Sequence, residues 1–193
     1  VCSSDLKGSP DLPKLSFSIL IPHQKNSAIE VVASHYTDYQ AVDIAPSKGK
    51  LLRSMDPASI PFTYGEVYHK NAFYPSEVAV LNQPYIMRDF RGQTVEIHPV
   101  QYNPVTKVLR VYTDMKLKIN YSGTSGVNTL ATVDAPLRID EVFDGIYENQ
   151  FVNYKLFKKL RYSPVTEDGS LLVLCPANFL NAIAPFVKWK EMK

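Results

Sequence analysis

The stretch PYIMRDFRGQTVEIHPVQYNPVTKVLRVYTDMKLKINY, residues 84–121, decides the fold. Its second half alternates. Leu109, Val111, Thr113, Met115, Leu117, Ile119 and Tyr121 share one face, and Arg110, Tyr112, Asp114, Lys116, Lys118 and Asn120 share the other. A period of two marks a strand with one face in a core and one in water. A shorter run precedes it, with Val95, Ile97 and Pro99 set against Thr94, Glu96 and His98. Between the runs lies NPVTK, residues 103–107, where Asn103 can bond its own backbone and Pro104 presets a turn. The two runs read as an antiparallel hairpin. An isolated hairpin is marginal in water, so this one must pack on further strands.

Those strands are found on both sides. Leu15, Phe17, Ile19 and Ile21 alternate with Lys14, Ser16, Ser18 and Leu20 before Pro22 ends the run. Ile29, Val31 and Ala33 begin another, carried through His35 and Tyr36 toward Val42. Residues 45–61 break the pattern with three prolines and one glycine, so they form a loop. A loop longer than about a dozen residues inside a compact domain is usually functional or disordered. Short strands are expected over 65–68 and 77–81, on either side of an aromatic turn at Phe73, Tyr74 and Pro75. Residues 122–126, SGTSG, make a flexible connection, and 129–133 add a final strand. Over 139–160, aromatics at three- and four-residue steps suggest one or two short helical turns around Gly145.

The character then changes. Residues 170–175, SLLVLC, form the continuous apolar run of a strand buried on both faces. Ile183, Phe186, Val187 and Met192 follow at helical spacing, in a helix that should start just before Pro185. The expected fold class is mainly β: an antiparallel β-sandwich over 7–161, then the opening strand and helix of an α/β domain over 162–193. A lone strand and helix cannot bury both faces of the strand, so that second unit is read as truncated.

The composition agrees. Of 193 residues, 45% are hydrophobic and 21% charged, which is ordinary for a globular protein and argues against disorder. Twelve Tyr and 14 Pro suit strands and turns better than helices. A net charge of +2 from scattered basic residues points to no nucleic-acid or anionic-membrane partner. No apolar run reaches the length of a membrane span. The two Cys lack metal-ligand spacing and give neither a disulfide framework nor a zinc site. Residues 1–6, VCSSDL, match the in-frame translation of a common sequencing adapter and are set aside as non-native. On that reading Cys2 is foreign, and any signal peptide lies outside the chain.

The residues that could carry chemistry are few. None of His23, His35, His69 and His98 stands in a metal-binding His-Glu-x-x-His, and there is no nucleophile elbow or phosphate-cradling loop. No cofactor is called for. His98 falls on the polar face and reads as a solvated strand residue, and Cys175 as a small buried hydrophobe. Arg88, Asp89, Phe90, Arg91 and Gly92 read as a turn or ion pair, with Gly92 supplying an unusual backbone angle. Lys158, Lys159 and Arg161 lie in exposed chain between the two patterned regions, where proteolysis concentrates.

Several pieces, in order, resemble the N-terminal prodomain of gingipain-type cysteine peptidases, especially the arginine-specific ones. They are IAPSKG (44–49), the DP–IP–YG pattern (56–65), Phe73-Tyr-Pro, RDFRGQ (88–93) and QYNPVTK (101–107) followed by LRVYT. The resemblance runs from about Leu15 to the end of the chain. It implies a β-sandwich prodomain that assists folding and holds a secreted or cell-surface cysteine endopeptidase latent, followed by the start of a caspase-like catalytic domain. The partner it implies is that downstream catalytic domain, acting in cis or in trans, with proteins as the parent's substrates. Its catalytic His precedes Gly and lies downstream with the Cys; none of the four His here precedes Gly, so no catalytic residue is expected in this chain. Family maturation follows an Arg before Tyr-x-Pro-Val, which Arg161-Tyr162-Ser163-Pro164-Val165 matches. The resemblance also places at Arg53 the arginine that fills the specificity pocket, with Lys48 and Lys50 as neighbouring rivals. A second reading of the same residues is a β-sandwich binding module of a bacterial surface protein.

Overall fold

The structure, a computed structural model, describes residues 2–3, 6–131, 139–158 and 171–192. Two antiparallel sheets pack face to face, and a helical layer covers the outer face of the first. Sheet one contains β1 (Cys2–Ser3), β2 (Pro13–Leu20), β4 (Ala79–Leu81), β5 (Tyr85–Met87) and β6 (Phe90–Ile97), with β6 central. β2 lies on one side of β6, while β4 and β5 share the other, opposite 95–97 and 90–92 respectively. Sheet two has the order β3 (Asn26–Tyr39), β8 (Val108–Ser122), β7 (Val100–Asn103).

The expected hairpin is therefore divided. Its alternating runs belong to different sheets: Val95 and Ile97 pair with β2, and the true hairpin partner of β8 is β7. The chain changes sheet at His98–Pro99. His98 N–H still bonds Val78 C=O in sheet one, whereas Pro99 C=O already accepts from Tyr112 N–H in sheet two. Proline cannot donate to a ladder, which makes it a natural corner. The turn itself follows expectation, with Asn103 Oδ1 accepting from Val105 and Thr106 N–H.

Between the sheets lie Ile19, Ile21 and Val95, flanked by Phe17, Ile29, Leu81, Ile97 and Ile119. The opposite face of β2 is buried as well, because helices α1 (Glu141–Gln150) and α2 (Tyr154–Lys158) sit on it. Leu20, Phe90, Ile139, Tyr147, Phe151 and Tyr154 form this second core. Phe90 meets Tyr147, Tyr154 and Phe157 edge-on, with centroids 4.8, 5.7 and 5.2 Å away. Such pairs add about 0.5–1.5 kcal/mol each beyond area burial.

The helical layer is more regular than the sequence suggested. Asp140 Oδ1 caps Val142 and Phe143 N–H, Glu141 and Asp144 favour the first turn, and Gly145 sits inside a continuous helix. Phe143, Tyr147, Phe151 and Tyr154 follow steps of three and four, which bring them onto one inward face. Asn153 then reaches the edge of β2, accepting from Leu20 N–H at 2.8 Å and donating to Leu20 C=O at 3.0 Å. An edge covered in this way cannot recruit a foreign strand.

Other expectations fail for local reasons. Residues 65–68 form no strand but a 3-10 turn, Glu66–His69, whose Tyr68 hydroxyl bonds Ile44 C=O. Residues 129–131 carry no strand, and 132–133 lie outside the described residues. Residues 171–176 are not in a strand either, and Leu171, Leu172 and Leu174 are 60%, 79% and 85% exposed. A strand meant to be buried on both faces needs neighbours, and the described residues supply none. Cys175 is accordingly half-buried instead of buried. Helix α3 (Leu180–Glu191) starts five residues before Pro185, because the 3-10 turn Ala177–Phe179 runs straight into it. Among the described residues, no helix is long and apolar enough to cross a membrane.

Candidate functional site

The site is the loop over residues 45–61, whose base is tied to the fold and whose tip is exposed. The base begins with backbone pairing between the N-terminal arm and the loop. Gly8 N–H donates to Ser47 C=O (3.0 Å), Ser47 N–H to Ser9 C=O (2.8 Å) and Asp11 N–H to Ala45 C=O (3.1 Å). Pro10 and Pro46 are both buried at this bridge. The returning chain joins them through Gly65 N–H to Gly8 C=O at 2.9 Å. A Cβ on Gly65 would stand 2.8 Å from that carbonyl oxygen, so only glycine permits the approach.

Above the base, Gly49 adopts φ +78°, the sharp turn expected of it. The far side is closed by Asp56, whose carboxylate accepts from Ala58 N–H while its carbonyl accepts from the Ser59 hydroxyl. Lys48 spans the two sides. Its Nζ donates to Pro57 C=O at 2.6 Å and lies 4.4 Å from the centroid of the Phe62 ring. Lys50 lines a cleft beneath the loop with Leu12, Lys14, Tyr74, Glu96 and His98. His98 is therefore not a solvated strand residue: its side chain is 14% exposed, Nδ1 faces Glu77 C=O and Nε2 faces Glu96.

Arg53 occupies the tip. It is at the second position of a turn closed by Met55 N–H to Leu52 C=O at 3.0 Å, and every residue from 52 to 59 is exposed. Leu52 (65%) and Met55 (47%) are exposed in the same turn, and Phe62 (52%) and Tyr64 (59%) on the returning chain. Three cations and one carboxylate over 45–61 make the loop positive. A positive tip with exposed apolar side chains in the same turn can enter an acidic pocket with an apolar rim.

The structure separates the three candidates for that role. Lys48 is committed to the loop's own scaffold, Lys50 lies in the wall of the cleft, and Arg53 alone stands at the tip. Arg161 and Tyr162 lie outside the described residues.

One buried residue escaped the sequence reading. Arg91, taken as part of a turn or ion pair, is 1% exposed. Its guanidinium donates to the carbonyls of Pro22, Lys25, Val127 and Asn128 and to Ser125 Oγ, all within 2.7–2.9 Å. It locks segment 22–25 to segment 125–128. Burial pulls its pKa down, and pulls His23, beside it, below the ordinary 6.5, first by desolvation and then by the Arg91 charge. The signal was present: the odd parity of Val95 and Ile97, extended back, puts Gln93 and Arg91 on the core side. Gly92 has no positive φ; a Cβ there would fall 2.6 Å from Phe151 Cε1 and 2.8 Å from Tyr85 Cζ.

Comparison with known proteins gives a consistent result. The chain is 39% identical over 189 residues to gingipain R2 of Porphyromonas gingivalis, a match covering 97% of this chain and 25% of that protein. It is 26% identical over 194 residues to Lys-gingipain of the same organism, covering 96% of this chain and 11% of that protein. The chain thus spans about a quarter of gingipain R2. Among solved structures it is similar to the complex of Porphyromonas gingivalis RgpB pro- and mature domains, with TM-score 0.70 and 39% identity over 79% of this chain and 77% of that one. It also shares its fold with a structure describing zymogenic latency of gingipain K, at TM-score 0.52 and 23% identity over 63% of this chain and 70% of that one. The Propeptide_C25 family model matches residues 2–162, a span that holds both sheets, the exposed loop and the two helices packed on them, and the chain belongs to that family.

Proposed function

We propose that this chain holds a secreted, gingipain-like cysteine endopeptidase latent by inserting Arg53 into the enzyme's specificity pocket. The partner is the parent's own catalytic domain, which begins at Tyr162 and is released by cleavage after Arg161. The observation that carries the reading is the tip itself: a guanidinium in water on a loop whose base is tied to the fold. Lys48 and Lys50 are occupied elsewhere, which favours a parent that cleaves after arginine.

A planar guanidinium forked onto a pocket carboxylate makes a strong, directional contact. Truncating one partner of such a pair costs about 2–5 kcal/mol, because the other charge is left unpaired. At about 1.4 kcal/mol per decade this is a loss of roughly 30-fold to several-thousand-fold. The test is inhibition of the mature parent enzyme by this chain, comparing wild type with Arg53→Ala. Equal inhibition constants would show that latency rests on other contacts. For the cleavage, the N-terminus of the mature form should be Tyr162, and Arg161→Ala should block its appearance. Normal maturation of that variant would move the boundary elsewhere.

A further inference from the structure

We infer that the outward face of α1 is a second docking surface, occupied by the catalytic domain that begins at Tyr162, which holds the propeptide in place apart from the Arg53 loop. The inference rests on the propeptide reading and adds a surface to it. Helix α1 turns Phe143, Asp144 and Tyr147 inward. At 100° per residue, Val142, Gly145 and Asn149 fall on the opposite side, with Ile146 beside them. Val142 is 69% exposed and Ile146 40%, and just beyond the helix Val152 and Leu156 are 65% and 70% exposed.

Gly145 is the informative residue. Its φ is not positive, and a Cβ built on it would meet nothing within 4 Å. Glycine inside a helix is unfavourable relative to alanine, through backbone entropy and lost propensity. Here the fold gains nothing in return: no turn, no left-handed angle, no close neighbour. A bare backbone between exposed apolar side chains allows another molecule's backbone to approach closely.

Chain length and charge choose the occupant. Residues 159–170 separate α2 from Leu171, and so few residues can span at most about 45 Å. The following domain is therefore held near this face at an effective concentration that reaches the millimolar range. Glu141 and Glu148 flank the face, so a second copy docking through this same face would set carboxylates against carboxylates. The segment that follows carries Lys188 and Lys190 in its first helix.

The test adds this chain, wild type and substituted, to the mature parent peptidase and measures the inhibition constant and the thermal midpoint together. Val142→Glu with Ile146→Glu should weaken inhibition about tenfold or more with the midpoint unchanged. Gly145→Ala should raise the midpoint yet weaken inhibition, opposite signs that a purely structural glycine does not produce. Inhibition within about twofold of wild type for both variants overturns the inference. Arg53→Ala run in parallel separates the two readings. Loss with Arg53→Ala alone leaves the loop reading standing and removes this one; loss with the helix variants alone does the reverse. A wild-type chain that sediments as a dimer, and becomes monomeric in the Val142→Glu, Ile146→Glu variant, would overturn the assigned occupant.

Discussion

Arg91 and Arg53 carry the same guanidinium into opposite surroundings. Arg91 lies at the junction of both sheets, with four carbonyls and a hydroxyl around it. Arg53 stands at a loop tip among eight consecutive exposed residues. A guanidinium whose donors are all satisfied inside contributes to folding and has nothing left to offer a partner. One whose donors face water adds little to folding and can transfer them to a carboxylate elsewhere. The two positions divide the molecule into a part that maintains shape and a part that presents it.

The sharpest way to break this contrast is Arg91→Met. The substitution removes the guanidinium donors from the Pro22, Lys25, Val127 and Asn128 carbonyls, of which Val127 keeps only a 3.4 Å contact from the Ser125 hydroxyl, and unties two segments. The expected cost is about 3–5 kcal/mol, read as a lower urea midpoint at unchanged slope. A variant close to wild type would mean that those carbonyls find water at little expense. Arg53→Ala should shift the same midpoint by no more than about 0.5 kcal/mol while abolishing most inhibition. If it unfolds the chain, the tip is not merely presented by the fold but part of it.

Much of this was legible, and the failures have physical causes. Strands β2, β3 and β8 follow from alternation, because polar and apolar residues take turns along each of them. Alternation says which face is buried but not which sheet a strand joins. For that reason the passage of the chain at Pro99 from one sheet to the other was invisible. Gly92 was expected to supply a backbone angle, whereas two aromatic rings, Tyr85 and Phe151, occupy the space a side chain would need. Those rings come from positions seven residues before it and 59 after it, beyond the reach of any local pattern. Arg53 could be placed on an exposed loop from prolines and glycine alone. That Lys48 is held by Pro57 and Phe62, and so withdrawn from competition, depends on how the loop folds back on itself.

Lys48 supplies the next test, smaller than the first two. Its hydrogen bond to Pro57 and its position over Phe62 fix the two sides of the loop to each other. Lys48→Met keeps the stem and removes the charge. The tip would then have to be ordered on binding, at about 1 kcal/mol, or roughly a fivefold weaker inhibition constant. An unchanged constant would mean that Asp56 and the paired base hold the loop by themselves. A loss as large as that of Arg53→Ala would instead make Lys48 a contact residue, and the clean division between scaffold and tip would fail.

The smallest effect concerns acid, and it returns to the buried arginine. His23 is half-buried beside Arg91, and both burial and that positive charge disfavour its protonated form. Its pKa in the folded chain is therefore below the ordinary 6.5, which an unfolded chain would retain. Between those two values the unfolded state binds more protons than the folded one, so stability rises with pH. The contribution is complete above 6.5 and is lost as the pH falls toward the lowered value. Thermal midpoints should therefore drop further for wild type than for His23→Gln on going from neutral to mildly acid buffer. Other groups titrate over the same range, and the difference between the two chains isolates the His23 share. If both chains fall equally, segment 22–25 opens enough for the imidazole to charge in place. The hold of Arg91 on that segment would then be looser than its short hydrogen bonds imply.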